Sequence, residues 1–113
     1  MPSQRPTDRQ FYSAAGPVAR VEWRLHESDL PSPRWARMRV FANGTADVCW
    51  GDGGTLYGFD QPEFAGSFLS EDEYCRLSML DAEDEKQFGV RLSDLIPPIW
   101  SDAGSGFEYL GTY

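Results

Sequence analysis

The stretch WARMRVFANGTADVCW, residues 35–50, decides the fold. Apolar and charged side chains alternate on both sides of Asn43-Gly44, and an Asn-Gly pair flanked by such alternation is a strong hairpin signal. Two registers compete. A two-residue loop would place Arg37 opposite Trp50 and Arg39 opposite Val48, setting charge against the apolar side. A three-residue loop, Ala42-Asn43-Gly44, places Ala36 opposite Trp50, Met38 opposite Val48 and Val40 opposite Ala46, with Arg39 facing Asp47 on the other side. A one-residue slip turns every side chain over, so burial selects the register. The three-residue loop follows, with Gly44 in a left-handed conformation.

Working outward, residues 18–27 (VARVEWRLHE) alternate as well. Val21, Trp23 and Leu25 fall on one side, and Arg20, Glu22, Arg24 and His26 on the other, as in a half-buried strand. The intervening 28–34 segment carries two prolines and reads as a loop. After the hairpin, GDGG (51–54) reads as a turn and TLYGFD (55–60) as a fourth strand. Helical signals come next. Asp60-Gln61-Pro62-Glu63 has capping-box spacing and opens a short helix with Phe64 and Phe68 on one face. Ser70-Glu71-Asp72-Glu73 has the same spacing and predicts a second helix over about 71–82, striped by Tyr74, Leu77 and Leu80. Residues 81–87 read as a charged loop or a short helical turn, and Pro97-Pro98 breaks any helix there.

These elements predict an α+β fold: an antiparallel β-meander of three to five strands with two short helices packed on one face. Residues 1–17 form a flexible N-terminal arm, 18–100 a single domain, and 101–113 a tail that either adds an edge strand or stays loose. The expected core is Val21, Trp23, Leu25, Met38, Val40, Ala46, Val48, Trp50, Phe64, Phe68, Leu77 and Leu80.

Composition bounds the function classes. A chain of 113 residues with 41% hydrophobic and 14% aromatic content holds one core and is too apolar for a disordered chain. The net charge of −8 is uneven: residues 1–45 carry seven arginines against four acids, and residues 46–113 carry three basic side chains against fourteen acids. Such a field opposes nucleic acid and anionic lipid and favours a basic partner. No apolar run approaches the roughly 20 residues that span a bilayer, and the first residues lack the apolar stretch of a secretory signal. The expectation is cytoplasmic residence with reduced thiols and no membrane partner.

A catalytic constellation is hard to assemble. His26 and Cys49 share a sheet face in this register and are geometrically imaginable as a pair, but no local signature surrounds either residue. The acids at 71–73 and 81–85 read as helix-cap or solvated residues rather than paired catalytic carboxylates. Neither GDGG nor residues 81–86 has calcium-loop spacing, and GDGG lacks the lysine of a phosphate loop. No catalytic, metal or cofactor residue is assigned.

Two surfaces remain. Arg20, Arg24, Arg37, Arg39 and Phe41 are expected on the outward sheet face, with Trp35 and Trp100 nearby. Glu71, Asp72, Glu73, Asp81, Glu83, Asp84 and Glu85 form a candidate acidic surface. The leading expectation is a non-enzymatic module that binds another protein or a second copy of itself. The first alternative is an acidic inhibitor or immunity-type protein that blocks a basic cleft. The second is a small enzyme or ligand-binding domain with a pocket between sheet and helices.

Overall fold

A computed structural model describes residues 5–30, 32–50, 54–100 and 106–113. Most of the expected 51–54 turn and most of the tail's linker, 101–105, lie outside the described residues. The architecture is α+β: a six-stranded mixed sheet in the order β5-β1-β2-β3-β4-β6. Its strands are β1 (Val18–Leu25), β2 (Trp35–Phe41), β3 (Ala46–Trp50), β4 (Thr55–Phe59), β5 (Cys75–Arg76) and β6 (Gly106–Gly111). Its helices are α1 (Asp8–Ala15), α2 (Pro62–Glu71) and α3 (Ala82–Phe88).

The β2–β3 hairpin takes the register that burial demands. Ala36 pairs with Trp50, Met38 with Val48, Val40 with Ala46 and Arg39 with Asp47. Gly44 has φ +91°, and the Asn43 side-chain carbonyl accepts from the Thr45 amide at 3.0 Å and closes the turn. Antiparallel pairing links β1 to β2 and β3 to β4. The strand count exceeds the expected three to five because β5 and β6 extend the two edges. β6, formed by the tail, runs parallel to β4.

Helices cover both faces of the sheet rather than one. On the first face, Ala65 and Leu69 of α2 pack on Ala36, Met38, Val40, Ala46, Val48 and Phe59. Trp50 stacks between Tyr57 and Phe68, at centroid distances of 5.0 and 5.2 Å. On the second face, Phe11 and Ala15 of α1 pack on Phe41, flanked by Tyr12, Phe107 and Tyr109. Residues 8–15 are therefore an ordered helix and not a loose arm. Its start is written in Thr7-Asp8-Arg9-Gln10, where the Thr7 and Gln10 side chains cap each other's backbone amides. Leu25, Leu80 and Leu95 make a third cluster with Trp35, Cys75 and Leu77 around it.

The helix expected over 71–82 does not form. Ser70-Glu71-Asp72-Glu73 ends α2 instead of starting a new helix. Glu73 has φ +64°, and the Tyr74 and Glu73 amides donate to the Leu69 and Ser70 carbonyls. This bond pair is a Schellman ending with glutamate at the position that glycine favours. The chain then supplies β5 and a single 3-10 turn, Leu77–Met79. The Asp60–Glu63 capping box is also absent. Gln61 is the N-cap without a side-chain bond, and Asp60 instead accepts from the Tyr109 hydroxyl. The residues read as a charged loop or short turn are α3, capped by Asp81 and Asp84 in a reciprocal box.

Candidate functional site

A strand's period-two pattern shows which side chains share a side, and pairing with its neighbour decides which face of the sheet that side becomes. Here β1 sits opposite to expectation. Glu22 pairs with Met38 and Arg24 with Ala36, so the polar side of β1 lies on the α2 face. Val21 and Trp23 pair with Arg39 and Arg37 and lie on the second face. Val21 is 47% exposed and is not core. The nine-residue connection between β1 and β2 sets no register of its own, unlike the tight turn at Asn43-Gly44.

The expected arginine surface is thus divided between two faces and largely buried. Arg24, Arg37 and Arg39 are each 4% exposed, and Phe41 is buried against Phe11. Arg39 makes a two-pronged pair with Asp47, Nε to Oδ1 at 2.9 Å and a terminal nitrogen to Oδ2 at 2.5 Å. Tyr12 of α1 donates its hydroxyl to the same Oδ2, and the Arg39 guanidinium lies 5.8 and 5.3 Å from the Tyr12 and Phe41 ring centroids. Burial and the Asp47 carboxylate push the Tyr12 hydroxyl well above its ordinary pKa. The network ties α1 to the sheet.

Cys49 and His26 are kept apart. Cys49 is opposite Arg37 on the second face, buried, with its thiol pKa raised chiefly by that burial. His26 stacks edge-on against Tyr74, 4.1 Å between centroids, beside the α2 cluster. A buried thiol held protonated is a poor nucleophile. Among the described residues no group of His, Cys, Asp and Glu side chains has metal-binding geometry, and no helix is long and apolar enough to cross a membrane.

Two places among the described residues are suited to meeting another molecule. The first is an aromatic patch on the second face, beyond α1. Trp23 contacts Trp35 and Trp100 edge-to-face at 6.0 and 5.2 Å, and the Arg37 guanidinium sits 6.0 Å from the Trp100 ring. All three tryptophans are half-buried. Val21 lies next along β1 on the same side as Trp23, and Ile99, adjoining Trp100, is fully exposed. The sequence reading included Trp35 and Trp100 and missed Val21, because it placed β1 on the wrong face, and Ile99, which follows Pro97-Pro98 in a segment without periodicity.

The second place is a groove of about 590 Å³ between α2 and the β1–β5 edge. Glu22 accepts from Arg24 at 3.0 Å and forms an ion pair with Arg76, also at 3.0 Å, and Arg20 approaches to 3.8 Å. Arg24 also reaches the Gly66 carbonyl and the Ser70 hydroxyl, both at 3.4 Å. The sequence reading included Arg20 and Arg24 and missed Glu22 and Arg76. The spacing Arg20-x-Glu22-x-Arg24 already places three charges on one strand side.

The acidic residues fall in two groups. Glu71, Asp72 and Glu73 end α2, where Glu71 accepts from the Tyr113 hydroxyl. Asp81, Glu83, Asp84 and Glu85 start α3; Asp81 and Asp84 cap it, and Glu85 accepts from the Leu92 amide at 2.9 Å.

A scan of protein-family models finds none that matches this chain, and searches of curated proteins and of solved structures find none either.

Proposed function

We propose that this protein is a non-enzymatic interaction module that docks another protein on its tryptophan-lined sheet face. The observation that carries the reading is the Trp23–Trp100 contact with two exposed apolar side chains near it in the chain, Val21 on the same side of β1 as Trp23 and Ile99 adjoining Trp100 in sequence. Exposed apolar patches next to large aromatics are characteristic of binding surfaces, and half-buried tryptophans supply contact area that is already ordered. The net charge of −8 favours a partner that is basic around an apolar anchor.

The test is capture of partners on wild-type protein and on the double variant Val21→Asp/Ile99→Asp, followed by reconstitution with the purified partner. Both substitutions are at exposed positions, and circular dichroism checks that the fold persists. The expected result is a basic partner that binds wild type and loses at least tenfold affinity for the variant. Equal binding to both proteins would remove the docking face. The narrower reading, an acidic inhibitor, rests on the exposed acids Asp72, Glu73, Asp81 and Glu83. It requires affinity that falls steeply with salt and is lost in charge-neutralised variants of those four residues.

A further inference from the structure

We propose that the groove between α2 and the β1–β5 edge binds a small amphiphilic oxyanion, a carboxylate or phosphate head on an apolar body. At about 590 Å³ the groove has the size of a small-molecule site. Its lining is mixed, with Arg20, Arg24 and Arg76 beside Met38, Met79 and Pro62. The three guanidiniums share one carboxylate, Glu22. Counting Glu63 on the exposed rim of α2, the groove still has one positive charge in excess, within a chain of net charge −8.

Arg20 and Arg76 are held in a way that leaves donors for a ligand, and Arg24 adds its charge from beneath. Arg24 is 4% exposed, its Nε has no hydrogen-bond partner, and its bonds to Gly66 and Ser70 are long. A desolvated guanidinium so incompletely compensated projects a strong local potential. Arg76 uses only Nε on Glu22, so its two terminal nitrogens are available, and its side chain is 54% exposed. Arg20 contacts Glu22 only at 3.8 Å and is similarly open. Planar guanidiniums bind carboxylate and phosphate oxygens in two-pronged fashion, which a lone lysine does not. Ser67 and Ser70 of α2 add hydroxyls to the lining. The Met79 side chain, 69% exposed, flexible and polarizable, suits an aliphatic body of varied shape, while Met38, 2% exposed, adds little surface of its own.

The test is calorimetric titration of the full chain with octanoate, octyl phosphate and inorganic phosphate, with octanol as the uncharged control. In parallel, the methionine methyl signals are followed by NMR. Binding of octanoate or octyl phosphate is expected, weaker for inorganic phosphate and absent for octanol, with the Met38 and Met79 methyls shifting. Preference between the two amphiphiles identifies the head group. Arg20→Ala/Arg76→Ala, two exposed positions, is expected to lose at least tenfold affinity, while Arg9→Ala in α1 leaves it unchanged. Failure of both amphiphiles to bind at millimolar concentration overturns the proposal. So does binding that the double variant retains, or that leaves the Met38 and Met79 signals in place.

Discussion

The Tyr12 hydroxyl donates to Asp47 Oδ2 at 2.6 Å, joining the N-terminal helix to the middle of the sheet. Asp47 is 1% exposed and already holds Arg39 through both oxygens. Removing one member of a buried pair leaves the other charge uncompensated, at a cost of about 3–5 kcal/mol. Asp47→Ala is therefore expected to lose about that much stability in urea unfolding. Tyr12→Phe leaves the ion pair intact and removes one bond to a charged acceptor, a loss of about 1.5–3 kcal/mol. A Tyr12→Phe loss as large as that of Asp47→Ala would contradict this division.

The same tyrosine sets an alkaline limit. Tyr12 and Tyr109 both have raised folded-state pKa values. For Tyr12 the main cause is burial and the next is the charge of Asp47; for Tyr109, pushed up to about 12, it is the hydrogen bond to Asp60. In the unfolded chain both ionise near pH 10. Above that pH the unfolded state binds fewer protons than the folded state, so stability falls as pH rises. The contribution of the two groups is complete below pH 10. For Tyr109 it is lost as pH passes through about 12. Stability measured from pH 9 to 12 should decline, and the double variant Tyr12→Phe/Tyr109→Phe should decline less steeply. Parallel slopes would rule out this assignment.

Glu73 ends α2 with φ +64°, a conformation that a side chain disfavours and glycine accepts. Glu73→Gly is expected to raise stability by about 1 kcal/mol, seen as a higher urea midpoint with unchanged slope. A neutral or destabilising result would mean that the Schellman ending does not strain this position.

Gly58 tests the opposite limit. A Cβ added there would lie 2.9 Å from the Phe107 ring and 3.1 Å from Phe11. Strand propensity alone favours Gly58→Val, but crowding two packed rings costs about 1–3 kcal/mol. Gly58→Val should therefore destabilise, and Phe107→Leu in the same chain should recover part of the loss. Without that recovery, the crowding would lie elsewhere.

The hairpin was legible to the residue because turn chemistry and burial both demanded one register. Alternation within β1 was equally clear, yet its face was not, since no tight turn connects it to β2. That single ambiguity moved Arg20 and Arg24 away from Arg37 and Arg39 and separated His26 from Cys49. Ser70–Glu73 was misread because acidic residues three apart after a serine resemble a helix start, and only the positive φ of Glu73 marks an end. The start of α1 was readable in Thr7 and Gln10 and passed over because prolines flank it. The groove itself was not readable. It depends on β5, two residues long, bringing Arg76 beside Arg24 across a long stretch of chain.

The parallel β4–β6 pairing has a consequence for how the chain acquires its shape during synthesis. Phe107 and Tyr109 flank Phe11, so the seat for the first helix is completed only by β6, which leaves the ribosome after every other strand of this sheet. Until then the second face of the sheet, including Arg39 and Asp47, lacks part of its cover. Leu110, on the other side of the same strand, packs against the first-face cluster, so both faces lack part of their cover, and premature association stays open, until about residue 111 has emerged.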